Sequence, residues 1–250
     1  MQLVLKHSTM LSVECFGRIR VTLFNMSAQP FLLQPDMLLR AYRLGLFPMA
    51  ETRDSQRLHF LDPDRRGILP LDRFHLSRRL ARTLRASHFA ITADRDFRSV
   101  ISACAARVPK RPETWINQEI EASFCLLAER GHAHSIEVWD RERFVGGLYG
   151  LVIGGAFFGE SMVSFARDAS KMALVHLVAR LRLGGFSLLD TQFITDHLSH
   201  FGALEISRAV YHSYLAEAVL QDVPWVADPD PATLSHEIAV MRDETRSKSR

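Results

Sequence analysis

Residues 144–170 read FVGGLYGLVIGGAFFGESMVSFARDAS, and the way this stretch folds decides the rest of the chain. Val, Ile, Phe and Tyr favour the pleated, half-buried surface of a sheet. Gly146-Gly147 and Gly154-Gly155 mark turns, bulges or places where another backbone comes close. The pattern predicts a hairpin: one strand over 144–153, a turn at Gly154-Gly155, and a return strand over 156–164. Glu160 then falls in mid-strand among Phe157, Phe158 and Met162. A lone carboxylate there is costly to desolvate unless a cation meets it. A single such glutamate more commonly faces water from an edge strand or pairs with an internal arginine. Its chain neighbours weigh against that.

Downstream, Ser170 is placed to cap a helix that buries Leu174, Leu177, Val178 and Leu181 and stops at Gly184-Gly185. Residues 186–191 follow as a strand. Asp190 and Gln192 stand two residues apart, so strand alternation points both to one face. If this strand neighbours the one carrying Glu160, the three polar groups converge. Upstream, 135–139 is a strand and Asp140 to Arg143 is the turn into the hairpin. Strands and helices alternating in this way indicate an α/β (α+β) domain with a mixed sheet.

The half before Pro112 is more helical and more basic. Helices are expected over 35–44, closed by Gly45, over 77–87, and over 96–108, ended by Pro109 and Pro112. Thr114 is the expected cap of the next helix, in which Ile116, Ile120, Phe124 and Leu127 form one face and Gly131 the stop. The expected organisation is an extension over 1–32, with Met26 a natural-looking start, a basic N-terminal domain over 33–110, a catalytic domain over 111–230, and a solvated polar tail over 231–250.

The 250 residues are 47% hydrophobic and 24% charged, an ordinary globular composition. A net charge of +3 does not by itself announce a nucleic-acid binder. Its distribution says more: Arg65, Arg66, Arg73, Arg78, Arg79, Arg82 and Arg85 crowd together, as a solvated helix face or a phosphate-binding stripe. Cys15, Cys104 and Cys125 are too few and too widely spaced for a disulfide framework or a zinc site, which suits a reducing, cytoplasmic setting. His132 and His134 lack further ligands at metal spacing, and no apolar run is long enough to cross a membrane. Other catalytic patterns fail. Gly159-Glu-Ser161-Met-Val163 lacks the second glycine of a nucleophile elbow. Neither GxxxxGK[ST] nor GxGxxG opens a helix.

Several short motifs occur together in a specific order. They are Phe47-Pro48-Met49, DPDRRG from Asp62 to Gly67, Phe74-His75, Thr114-Trp115-Ile116, Gly131-His-Ala-His134-Ser135 and Val145-Gly-Gly-Leu-Tyr-Gly150. Gly159-Glu-Ser-Met162, Ala169-Ser170-Lys171, Asp190-Thr-Gln192 and Gly202-Ala203 continue the series. In this order and at these separations the chain resembles the bacterial leucyl/phenylalanyl-tRNA–protein transferases over about residues 33–215. The resemblance implies a GNAT-like acyltransferase domain and transfer of Leu or Phe, or Met, from aminoacyl-tRNA to proteins with N-terminal Arg or Lys, marking them for degradation in the N-degron pathway. It implies no cofactor and no metal, a monomer, and no membrane partner.

The resemblance also assigns residues. Glu160, Asp190 and Gln192 would be catalytic. Glu160 would meet the cationic side chain or amine of the acceptor, Gln192 would hydrogen-bond the attacking amine, and Asp190 would orient Gln192 or take up a proton. The terminal adenine of the tRNA would stack on Trp115 and Phe60. Leu148, Phe157 and Met162 would line the pocket for the aminoacyl side chain. Arg65, Arg66, Arg78, Arg79 and Arg82, with Arg107, Lys110 and Arg111, would hold tRNA phosphates.

Three other readings compete, one of them a related enzyme acting on acidic N-termini, whose anionic acceptor Glu160 would repel. A CoA-dependent GNAT N-acetyltransferase needs an [RQ]xxGx[GA] loop opening a helix, and Arg143-Phe-Val-Gly146-Gly147-Leu148 lacks the last small residue and lies in a strand pattern. A non-catalytic RNA-binding module leaves Glu160, Asp190 and Gln192 without a role.

Overall fold

A computed structural model describes residues 11–12, 21–25, 33–109 and 111–247. Met26 and Lys110 lie outside the described residues, and so does most of the expected N-terminal extension. Two pieces of that extension are strands, β1 (Leu11–Ser12) and β2 (Val21–Asn25). Helix α1 (Pro35–Arg43) follows, then β3 (Phe47–Ala50), β4 (Leu58–Pro63) and β5 (Arg65–Ile68). Next come α2 (Arg78–Ala86), β6 (Ala90–Ala93), α3 (Phe97–Ala105) and α4 (Gln118–Glu129). The central part is β7 (Ala133–Asp140), β8 (Arg143–Ile153), β9 (Ala156–Ser164) and α5 (Ala169–Gly184). The chain closes with β10 (Leu188–Gln192), α6 (Asp196–Ser199), β11 (Leu204–Ser207), α7 (Arg208–Ala218) and α8 (Pro231–Ser247).

Two sheets result. The smaller runs β1-β2-β4-β3, and the larger runs β11-β5-β10-β9-β8-β7-β6. The larger is mixed: β10 runs parallel to β9, joined through α5, while β8 lies antiparallel to both β7 and β9. This is the α+β acyltransferase-like architecture expected of the sequence. The sheet takes β5 and β6 from before residue 110 and the other strands from after it.

The predicted hairpin forms, with Gly154 in the left-handed region at φ 57° in its turn. A Cβ on Gly150 would lie 2.3 Å from both the Phe157 ring and the Phe158 carbonyl oxygen, so only glycine lets β8 and β9 approach there.

Three local expectations are corrected. Asn117, whose side chain accepts from the Ile120 N–H, caps α4 in place of Thr114. Asp168, held left-handed at φ 61°, precedes α5 in place of Ser170. Residues 231–247 form α8, which packs on α5 and buries Met241. The anchors of this C-terminal segment are long-range and polar. Arg182 pairs with Glu237 and Glu244, and the Trp225 indole N–H donates to Asp94 at 2.7 Å while its ring stacks on His134 and Phe157.

One core lies between the large sheet and α1, α3 and α4, and the other between the sheet's opposite face and α5. Helix α5 is therefore enclosed, which is why its apolar residues run around the helix rather than along one stripe.

Candidate functional site

Glu160 owes its position to a break in strand pairing. Across β8 and β9, Tyr149 pairs with Ser161 and Gly150 with Gly159, leaving Glu160 as the extra residue of a β-bulge. The bulge shifts alternation by one. Phe157 and Met162, which strict period two would place on opposite faces, both pack toward the α5 core, while Phe158 packs toward Tyr42. Glu160 accepts a hydrogen bond from the Tyr42 hydroxyl, Oη to Oε1 at 2.7 Å, and forms no salt bridge among the described residues. It borders a cavity, yet its immediate surroundings strip away water. Desolvation, opposed by the Tyr42 hydrogen bond, raises its carboxyl to about 8. Tyr42 itself is pushed well above the usual phenol range by burial and by the Glu160 charge, so it stays a donor.

Asp190 and Gln192 are separated by a second irregularity. Asp190 pairs with Ile68 and Gln192 with Gly67 across β10 and β5, so Thr191 is the extra residue. Gln192 sits in the left-handed region at φ 55°. A Cβ on Gly67 would lie 2.8 Å from the Phe193 backbone, so the turned chain needs glycine opposite it. The Asp190 carboxylate holds this turn, accepting the Gln192 N–H at 2.8 Å. It also accepts from Arg66 Nε at 3.0 and 3.2 Å, from Arg66 Nη2 at 2.6 Å, and from the Tyr211 hydroxyl at 2.7 Å. Arg66 and Asp190 are both fully buried. Arg66 Nη1 donates to the Gly45 carbonyl oxygen, and its guanidinium lies between the Phe47 and Tyr211 rings at 4.5 and 4.4 Å. Burial opposes the Arg66 charge, but Asp190 more than offsets it and holds the pKa above the ordinary arginine value.

A cavity of about 610 Å³ brings most of these groups together. Glu160 and Gln192 line it, as do Leu148, Met162 and Trp115 from the sequence expectations. Asp190 does not: it lies behind Gln192 and faces Arg66 and Tyr211. Phe157 does not either. It is fully buried, stacked at 5.8 Å on Trp225, and paired with Val152 rather than with the cavity residue Leu148. Leu174, Leu177 and Leu189, on α5 and β10, supply apolar wall in its place. Phe60 is 4% exposed in the core under the small sheet and is absent from the lining. Met49 lines the cavity with Trp115, in a strand fastened to the Trp115 loop by the Ala50 N–H to Trp115 carbonyl bond at 3.1 Å. Several polar atoms of the wall are buried without a partner in the described structure: Tyr149 Oη, Thr191 Oγ1, Gln192 Nε2 and His197 Nε2. Unsatisfied buried donors and acceptors cost about 1–3 kcal/mol each, a cost a bound ligand would remove.

The arginines divide. Arg66 is internal and committed to Asp190, so it is not available to phosphate. Arg78, Arg79 and Arg82 are exposed on α2, and Arg65 is exposed but near Glu205. Arg79 pairs with Asp168 at 2.8 Å beside the start of α5, whose Ser170 lines the cavity. Hydrogen bonds from Arg79 and Lys171 hold the Asp168 carboxyl down at about 2. Arg107 pairs with Asp54 and Glu113.

The groups missed in the sequence were Tyr42, Tyr149, Tyr211, Met49, His197 and the α5 leucines as lining. Leu174 and Leu177 were visible as an apolar helix face. Nothing in one sequence could show that Tyr42 meets a residue 118 positions away.

A sequence model described as leucyl/phenylalanyl-tRNA protein transferase matches residues 68–216, and one described as the N-terminal domain of the same protein matches residues 32–64. Among curated relatives, a leucyl/phenylalanyl-tRNA–protein transferase of Paramagnetospirillum magneticum is 55% identical over 209 residues, covering 84% of this chain and 99% of that one. One of Rhizorhabdus wittichii is 58% identical over 187 residues, 75% of each chain. One of Maricaulis maris is 54% identical over 198 residues, 79% of this chain and 92% of that one.

Proposed function

The chain belongs to the leucyl/phenylalanyl-tRNA protein transferase family, and from that premise we propose that its cavity binds the 3′ end of Leu- or Phe-tRNA beside the N-terminus of an acceptor protein. It is an aminoacyltransferase, using aminoacyl-tRNA as donor and protein as acceptor. The finer assignments, N-terminal Arg or Lys on the acceptor and a role in marking proteins for degradation, are part of this proposal.

One observation carries the reading: a single apolar cavity holds Glu160, Gln192 and Trp115 on its wall. The donor is an activated ester, so positioning is the main task and no covalent enzyme intermediate is required. Leu148, Met162, Leu174, Leu177 and Leu189 provide an unbranched apolar slot for the aminoacyl side chain. Leu and Phe share an unbranched β-carbon, and misplacing one methyl of Val or Ile in such a slot costs about 1–3 kcal/mol. Trp115 offers a stacking face for the terminal adenine, with Met49 rather than Phe60 as the neighbouring cavity residue. Gln192 offers the unpartnered Nε2 donor and its amide oxygen to the reacting groups. Glu160 meets the cationic end of the acceptor. Asp190 acts through Gln192, by holding its backbone turn. Exposed Arg78, Arg79 and Arg82 suit sequence-blind phosphate contact along the acceptor stem.

The test is incubation of the protein with labelled Leu-tRNA or Phe-tRNA and peptides beginning with Arg, Lys, Asp or acetylated Arg. Label should pass to the Arg and Lys peptides alone. Absence of transfer to either, with folded protein and charged tRNA, would overturn the proposal.

A further inference from the structure

Within the aminoacyl-transfer reading above, we propose that Glu160, not Asp190, takes the proton from the attacking α-amine and returns it to the leaving ribose oxygen, with Tyr42 as its positioning residue. The usual expectation for two carboxylates near a reacting centre is that either could serve. Here the geometry separates them. Asp190 is fully buried and off the cavity. Both of its oxygens are occupied, by Arg66, Tyr211 and the Gln192 N–H, at 2.6–3.2 Å. Protonating it would discharge the only carboxylate that pairs with buried Arg66 among the described residues. Glu160 has the opposite environment. It stands at a bulge on the cavity wall, its Oε1 accepts one bond from Tyr42, and no cation pairs with it among the described residues.

The titratable and charged groups around Glu160 come from several elements: Tyr42 of α1, Tyr149 of β8, Arg66 of β5 and Asp190 of β10. Cys104 of α3 lies against the adjacent Ser161, and His197 of α6 lines the same cavity. Burial keeps Tyr42 and Tyr149 protonated, and Arg66 is committed to Asp190. Glu160 is therefore the cavity carboxylate free to gain and lose a proton. Desolvation raises its carboxyl, so it takes up a proton more readily than an exposed carboxylate would.

The step balances without another reagent. The neutral amine's lone pair forms the C–N bond to the ester carbonyl carbon, and the C=O π pair moves onto oxygen. The amine N–H proton passes to the Glu160 carboxylate. When the tetrahedral intermediate collapses, the carbon–oxygen bond to the ribose breaks and Glu160 passes that proton to the departing oxygen. Ester and amine become amide and alcohol, and Glu160 is again a carboxylate.

The experiment measures kcat/KM for the acceptor peptide, at saturating Leu-tRNA, from about pH 6 to pH 8, with N-terminal Arg and with its uncharged isostere citrulline. If Glu160 is the base, two protons must leave, one from the amine and one from Glu160. The log–log slope should then approach 2 on the acid side for both acceptors. Glu160→Gln, which still accepts from Tyr42, should drop the slope to 1 and the rate by about 10²–10⁴-fold. Tyr42→Phe removes a bond that favours the carboxylate, so the Glu160 limb should move to higher pH. A slope of 1 with citrulline in the wild type would make Glu160 a counter-charge only and overturn the proposal. Glu160→Gln protein that folds cooperatively and keeps its rate would do the same. No transfer by the wild type at any pH would instead defeat the aminoacyl-transfer reading on which this rests.

Discussion

Asp190→Asn tests whether Asp190 is scaffolding for Gln192 and Arg66. The change is nearly isosteric and removes one charge. The wild-type pair has no exposed side-chain surface on either partner, with Arg66 Nη2 2.6 Å from the carboxylate. The variant leaves Arg66 charged and buried without its counter-charge, facing a neutral amide, the Gly45 carbonyl and the Phe47 and Tyr211 rings. Breaking one side of such a pair costs about 3–5 kcal/mol. With a urea m-value near 2–3 kcal/mol/M, the unfolding midpoint should fall by roughly 1–2 M with m unchanged. Replacing both partners, Arg66→Met with Asp190→Leu, removes the orphan charge and should recover most of the loss, giving a coupling of several kcal/mol in a double-mutant cycle. Transfer should not recover in the double variant, because the acceptor for the Gln192 N–H is gone and the φ 55° turn is no longer held. The reasoning fails if Asp190→Asn unfolds within about 0.3 M of wild type, or if the double variant is only as stable as the two single losses summed.

Three other substitutions probe the same geometry. Glu160 binds its proton more tightly folded than unfolded, so its contribution to stability is fully present below the unfolded value near 4.5 and is lost as pH rises toward about 8. Glu160→Gln should therefore match wild-type stability near pH 4 and exceed it increasingly up to about pH 8, by denaturant unfolding across that range; a gap that does not grow with pH would contradict the buried-carboxyl assignment. Trp115→Ala should weaken an aminoacyl-adenosine analogue by about 1–3 kcal/mol, measured calorimetrically. Phe60→Ala should instead lower stability by about 3–5 kcal/mol and spare affinity in the protein that folds. The reverse pattern would restore Phe60 to the site.

The hairpin at 144–164, the helix after it and the strand bearing Asp190 were legible in sequence, because each depends on local signals: β-branched runs, paired glycines and a helical apolar period. The ordered motifs also pointed to Glu160, Gln192 and Trp115, all of which line one cavity. Side-chain direction was less legible. The bulge at Thr191 shifts strand alternation, so counting by twos placed Asp190 beside Gln192 instead of behind it, and the resemblance placed Phe157 in a cavity wall that it does not reach. Arg66 looked like part of a basic stripe because its neighbours in sequence are exposed. Its guanidinium is buried because β5 lies beside β10 and brings it onto Asp190, 124 residues away. Local sequence determines which segments become strands and helices, since propensity and period act within a few residues. Which carboxylate is pinned by an arginine and which borders the cavity beside a tyrosine was decided only by the tertiary structure, because a charge's fate depends on the partners that long-range packing supplies.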